Sequence, residues 1–263
     1  MEWELSQLLL GLLIGFCAGA LAGLMAGLAG VGGGLIYVPM FYLCLPNTDS
    51  GLALSVFASM VAIALTAWFS ARRHWQLGHT DTSALRRLLP GLALGASLGL
   101  WSTLLLPATW LLLALAALNA WVAWDYGRNV GAANSMKNVD YILSAPIGYV
   151  SGVLGIAGGT MLVPLLRRSL DLKHAVGTSA ACGMVMVIFA VALNVLWESS
   201  WMSMLEEQWQ FLLAIWIGVL LVMPKTAAWA AHLHDVVSET HLRWSLKILF
   251  VIISMAFLAL VYM

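Results

Sequence analysis

The stretch from Gly23 to Pro39, GLMAGLAGVGGGLIYVP, has a second copy in the chain, GYVSGVLGIAGGTMLVP, from Gly148 to Pro164. At one constant offset the copies share Gly23/Gly148, Gly27/Gly152, Gly30/Gly155, Gly33/Gly158, Gly34/Gly159, Val38/Val163 and Pro39/Pro164. Apolar segments broken by glycines at corresponding places in two halves restrict the chain to a duplicated membrane architecture. They are also the best sequence pointer to the substrate site of a secondary transporter. The expected organisation is two transmembrane repeats, residues 1–130 and 131–263.

Membrane insertion follows from composition: 62% of residues are hydrophobic and 9% charged, too apolar for a soluble domain. The formal net charge is zero, so gross electrostatics imply neither nucleic acid nor an acidic surface as a partner. Cys17, Cys44 and Cys182 have no short spacing between them, so no disulfide, metal site or cofactor is expected. The N-terminus carries Glu2 and Glu4 instead of a basic stretch, so the first apolar run reads as a retained span.

A helix needs about 20 apolar residues to cross a hydrocarbon core about 30 Å thick. Leu8 to Leu28 is long enough, whereas Leu35 to Leu45 reaches about half way at about 1.5 Å per residue. That piece reads as a half-helix, entered through Gly30 to Gly34 and closed by Pro46 and Asn47. Further spans are expected at 51–70, 88–106 and 110–124. After a polar linker, 125–140, the plan repeats with 141–154, a short piece at 156–166, then 175–197, 209–231 and 244–262. The fold class is all-α: a polytopic membrane protein of two inverted repeats, each with about four full spans and a glycine-broken half-helix.

Loop charge carries the inversion. Arg72, Arg73, Arg86 and Arg87 flank the loop after the third segment and place it in the cytoplasm by the positive-inside rule. Its counterpart, 198–208, holds Glu198, Glu206 and Glu207 and no basic residue. Equivalent loops on opposite sides require an odd number of crossings per half, hence inverted repeats. The same orientation puts Arg167, Arg168, Lys173, Lys225 and Arg243 inside and both termini outside. Eight of the thirteen tryptophans (68, 75, 101, 110, 124, 197, 201 and 209) fall at proposed span ends and read as an interfacial belt.

Gly11, Gly15, Gly19, Gly23 and Gly27 recur every four residues, as do Gly91, Gly95 and Gly99; both stripes suit close helix packing. Gly30, Gly32, Gly33 and Gly34, and Gly155, Gly158 and Gly159 around Ala157, are different. Each glycine costs a helix about 1 kcal/mol relative to alanine, so such runs break it. A break frees backbone N–H groups, and the next half-helix begins with a partial positive charge; both favour an anion over a mere hinge. No Asp or Glu falls inside a proposed span, which argues against a cation carrier. Lys225, after Pro224, is either a counter-charge for the anion or the snorkelling end of its helix. Asn119 and Asn194 lie within spans, where they bridge helices or bind substrate. Thr178 and Ser179 open the span after the second knot behind His174, and Ser55 takes the comparable place in the first half.

At these residues the chain resembles the TauE/SafE family of sulfite exporter-like permeases. The family motif of clustered glycines with a following proline is matched by Gly30-Val31-Gly32-Gly33-Gly34 with Pro39 and by Gly155-Ile156-Ala157-Gly158-Gly159 with Pro164. Ala175-Val176-Gly177-Thr178-Ser179 matches the motif that follows. Ala157 replaces a glycine, and residues 51–55 retain only the serine of the following motif. The resemblance implies a transporter of small sulfur-containing anions such as sulfite, thiosulfate or organosulfonates, in the bacterial inner membrane, with the lipid bilayer as its surroundings. Export by alternating access around the paired knots is the expected mechanism, and bulky residues at Gly33 or Gly158 are expected to block it. An intramembrane enzyme using His174 and Ser179 lacks an orienting acid, and a scaffold leaves the paired glycines without a purpose.

Overall fold

The computed structural model describes residues 2–29, 33–45, 51–125, 139–167, 169–233 and 239–261. Among them are ten helices: α1 (Glu2–Ala29), α2 (Gly34–Cys44), α3 (Gly51–Gln76), α4 (Thr82–Ser102), α5 (Ala108–Asp125), α6 (Val139–Leu154), α7 (Gly159–Leu166), α8 (Leu172–Trp197), α9 (Ser199–Leu233) and α10 (Glu239–Val261). The five segments read in each half are present, including both half-helices. Among the described residues, four stretches are by themselves long and apolar enough to cross a bilayer: Leu5–Ala26, Gly51–Gln76, Lys173–Trp197 and Ser199–Ala230. At 16 residues, α6 reaches only about 24 Å.

One boundary is corrected. The acidic loop expected at 198–208 is helical: α9 begins at Ser199 and only Glu198 separates it from α8. Glu206 and Glu207 lower the hydropathy of this stretch but are good helix formers, as are its Met, Leu and Gln. Trp201 also departs from the interfacial belt. It is fully buried and stacks on Phe57, ring centroids 4.9 Å apart. The other seven belt tryptophans are exposed.

The glycine stripes set the main helix pairs. A Cβ on Gly15 would collide with the Ile215 carbonyl and one on Gly23 with the Thr226 hydroxyl, and Gly11 and Gly19 leave only 2.9 Å to Phe211 and Val219. Residue numbers rise together, so α1 and α9 run parallel. In the other pair, Gly91, Gly95 and Gly99 of α4 lie on Ser144, Ala145 and Tyr149 of α6, and Gly148 and Gly152 answer against Leu92 and Ala96. Both stripes therefore do what small-residue spacing predicts. Gly27 falls outside the residues whose packing is described.

Interchanging the halves maps α1 onto α6, α2 onto α7, α3 onto α8, α4 onto α9 and α5 onto α10. The packing respects that exchange: α1 on α9 matches α6 on α4, α2 on α3 matches α7 on α8, and α3 on α9 matches α8 on α4. The pairs α3·α8 and α5·α10 map onto themselves. Phe57, near the start of α3, meets Trp201, just beyond the end of α8; His79, beyond the end of α3, lies against Gly177 near the start of α8. These two equivalent helices thus run in opposite directions.

Outward faces are apolar, with Leu9, Leu13, Phe16, Leu94, Leu98, Ile248, Ile252 and Met255 exposed, as hydrocarbon solvent permits. Inside, several polar groups donate to backbone carbonyls. Asn194 donates to Ser97 O across the α8–α4 contact at 2.9 Å, and Ser254 donates to Ala116 O from α10 to α5. Asn119 donates to Leu115 O within its own helix. Cys182 is buried, Cys44 half-buried and Cys17 exposed.

Candidate anion site

The second glycine knot begins as a helix C-cap. Gly155 follows α6 with φ +61°, a conformation that favours glycine, and the Ile156 N–H donates to Ser151 O at 3.1 Å. That six-to-one bond is the Schellman arrangement. The chain then restarts at Gly158, the N-cap of α7, with φ −55° and ψ −9°. Gly33 caps α2 with nearly the same angles, φ −62° and ψ −10°. Neither cap has a side-chain hydrogen bond, so the first N–H groups of both half-helices keep their capacity for a ligand.

The two knots touch. A Cβ on Gly34 would lie 2.6 Å from Ile156 Cα and 2.7 Å from Gly155 O, so only glycine allows this approach. Ser59 of α3 fastens the junction, its buried hydroxyl donating to Gly155 O at 2.7 Å. Ser59→Ala is expected to leave that carbonyl unpaired at a cost of about 1–3 kcal/mol, read as a lower melting temperature in detergent.

Beside the junction lies a cavity of about 180 Å³. Gly33 and Gly159 bring the starts of the two half-helices to it, Ala157 the second knot, Ala26 the last turn of α1, and Met223 the second half of α9. α3 contributes a stripe at four-residue spacing, Thr66, Ser70 and His74, and α8 contributes Val176, Ser179, Ala180 and Gly183. None of the described lining residues is acidic. Thr66 spends its hydroxyl on Ala62 O of its own helix. By contrast, the Ser179 hydroxyl and His74 Nδ1 are buried without a partner among the described groups. Such orphans beside a cavity are what a bound hydrogen-bonding ligand would satisfy.

The expected site residues divide accordingly. Gly33, Ala157, Gly159 and Ser179 line the cavity, while Gly34 and Gly155 make the knot contact and Gly158 caps α7. Gly30 and Gly32 lie outside the described residues. Ser55 is buried but donates to Gly51 O in its own helix, and Thr178 accepts from the Asp81 N–H at 2.9 Å, tying α8 to the turn before α4. Lys225 is exposed and absent from the lining; α9 runs on past Pro224 to Leu233. Asn119 and Asn194 do not line the cavity either. Ser59, His74 and Gly183 were not expected. The period-four run of Thr66, Ser70 and His74 is the signal that marks α3 as a lining helix.

The sequence profile of the sulfite exporter TauE/SafE family matches residues 14–257, nearly the whole chain. The chain belongs to the TauE/SafE family. Over 169 residues it is 30% identical to a probable membrane transporter protein of Haemophilus influenzae, covering 60% of this chain and 64% of that relative. Over 143 residues it is also 30% identical to the probable inner membrane transporter protein TsaS of Comamonas testosteroni, covering 52% and 59%. The matched region thus spans somewhat less than two thirds of either relative's length. No solved structure matches the chain significantly. The family and both relatives carry transporter names rather than enzyme names, and the chain is a multi-pass membrane protein.

Proposed function

We propose that this protein carries small sulfur-containing anions, such as sulfite, thiosulfate or an organosulfonate, across the bacterial inner membrane by alternating access. The observation that carries the reading is the meeting, at one cavity, of two half-helix starts without side-chain caps, with no carboxylate among the described lining residues. Oriented N–H groups and helix dipoles favour an anion there without a buried basic side chain. The transporter names of the relatives and the sulfite exporter name of the family support the same class of cargo.

The opposed directions of α3 and α8 and the exchange-symmetric packing support reading the halves as inverted repeats that rock about the knots. Exposed Ser70 puts the open side of the cavity near Arg72 and Arg73, the side that loop charge assigns to the cytoplasm. Loading from inside fits export. The membrane potential favours an anion leaving a negative interior by about 2.3 kcal/mol per charge per 100 mV.

Reconstitution into liposomes tests this. With the interior negative, efflux of at least one of sulfite, thiosulfate or a simple organosulfonate is expected to exceed that of protein-free vesicles. Background efflux for all three contradicts a transport function and leaves a scaffold role.

A further inference from the structure

Among the described residues lining the cavity, His74 is the only titratable side chain. Its half-buried ring has a buried Nδ1 without a hydrogen-bond partner among the described groups. From there a row of imidazoles leads away. The His74 and His79 rings are 5.8 Å apart by centroid, His79 and His174 are 5.9 Å apart, and His174 Nδ1 pairs with Asp171. We propose that His74 is the cavity's titratable counter-charge, neutral when the site is empty and protonated when an anion is bound, so that the carrier takes up one proton with each anion. This rests on the anion-site reading above and adds the coupling ion to it.

The surrounding charges leave that role to His74. On α3, Arg72 and Arg73 are exposed and do not line the cavity. In the turn, Asp81 is committed to capping α4, its carboxylate accepting from the N–H groups of Ser83 and Ala84. On α8, Lys173 is exposed, and the one carboxylate of the row, Asp171, is already paired with His174. The imidazole of His174 holds the Asp171 carboxyl below its usual range, so it stays ionised at neutral pH and serves His174. Arg86 and Arg87 of α4, Arg167 after α7 and Lys225 of α9 are absent from the lining; α2 adds only the Tyr37 phenol, whose ring lies over Gly33. Among the described residues no carboxylate therefore reaches His74 in the empty cavity, where an unpaired imidazolium is costly. A bound anion supplies the missing partner, and proton and anion each make the other's binding favourable.

Chemically the step is a proton transfer: the imidazole takes H⁺ from water at the open side as the anion enters, and returns it when the anion leaves. A monoanion leaving with one proton moves no net charge. A dianion moves one negative charge, so the membrane potential still favours its export.

Thiosulfate is the suitable probe, because its charge is constant near neutral pH whereas sulfite itself titrates there. With purified protein in weak buffer near pH 7.5, about one proton is expected to be taken up per thiosulfate bound, because a free imidazole titrates near 6.5. The wild-type affinity should fall about tenfold per pH unit above the imidazole midpoint. H74Q should bind weakly without pH dependence or proton uptake. H74R, permanently charged, should keep the low-pH affinity at all pH values, a rescue that a merely structural role would not give. H79Q and H174Q should retain the wild-type pH dependence. Wild-type binding that is independent of pH and takes up no proton overturns the role of His74 and leaves the anion site standing; this decides the matter even if H74Q does not fold. A pH dependence abolished by H79Q or H174Q overturns it too. Absence of thiosulfate, sulfite and organosulfonate binding at every pH overturns the anion site itself and this coupling with it.

Discussion

Gly34→Ala is expected to lower the melting temperature of the purified protein and to abolish transport, whereas Gly158→Ala, in the other knot, should be tolerated. Both substitutions add one methyl group at a helix start, and both positions have ordinary negative φ. Their surroundings decide the outcome. At Gly34 the methyl meets backbone, Ile156 Cα at 2.6 Å and Gly155 O at 2.7 Å, which cannot rotate aside. Overpacking of this kind costs about 1–3 kcal/mol. It also separates the two knots and strains the bond from Ser59. At Gly158 the methyl meets only the ends of flexible side chains, Leu162 Cδ1 at 3.0 Å and Met186 Cε at 3.8 Å. A gain in helix propensity from replacing glycine, at most about 1 kcal/mol, offsets that small adjustment. Thermal unfolding in detergent and flux in liposomes check the pair. Equal behaviour of the two variants would contradict a rigid contact between the knots.

Gly183→Leu should separate transport from folding. Among the described residues beyond its own helix turns, the only atom within 4 Å of a Cβ at this position is Gly158 N, at 3.8 Å, and the residue lines the cavity. A leucine there enters open space of about 180 Å³ with the Gly158 backbone no nearer its Cβ than ordinary contact, so the fold should hold while the site is filled. The expected result is at least a hundredfold loss of flux, about 2.7 kcal/mol in the loaded state, with a melting temperature close to wild type. Bulky residues at Gly33 are less informative, because a Cβ there already meets the Tyr37 ring at 2.6 Å and Ala22 Cβ at 2.8 Å.

The sequence-level reading was strongest where a pattern is local. The repeat located both half-helices, and four-residue spacing identified Gly11 to Gly23 and Gly91 to Gly99 as packing surfaces. What it missed depends on which helices cross. Ser55 takes a place in the first half comparable to that of Thr178 and Ser179 in the second, one residue out of register with the knots, yet it faces its own backbone, and the hydroxyl that reaches the second knot is Ser59, one turn later. Position along α3 alone does not say where α3 passes the knot. Thr178 adjoins Ser179 in one motif, but a helix turns about 100° per residue, and that rotation sends one hydroxyl to Asp81 and the other to the cavity. His74 follows two arginines in a stretch that reads as a charged span end; only the contact of α3 with α8 gives it a cavity to line. The helical start of α9 was lost for another reason, since hydropathy registers its glutamates as loop although their helix propensity is high.

The central claim is that one anion is held at the cavity where the two half-helices begin, and anion-induced thermal stabilisation tests it most directly. Purified wild type and Gly183→Leu would be melted with sulfite, thiosulfate, sulfate and a simple organosulfonate, each at the same ionic strength. The expected result is a rise in melting temperature with at least one sulfur anion in wild type and none in Gly183→Leu. An equal rise in both proteins, or none in wild type with any of the four, would contradict the site.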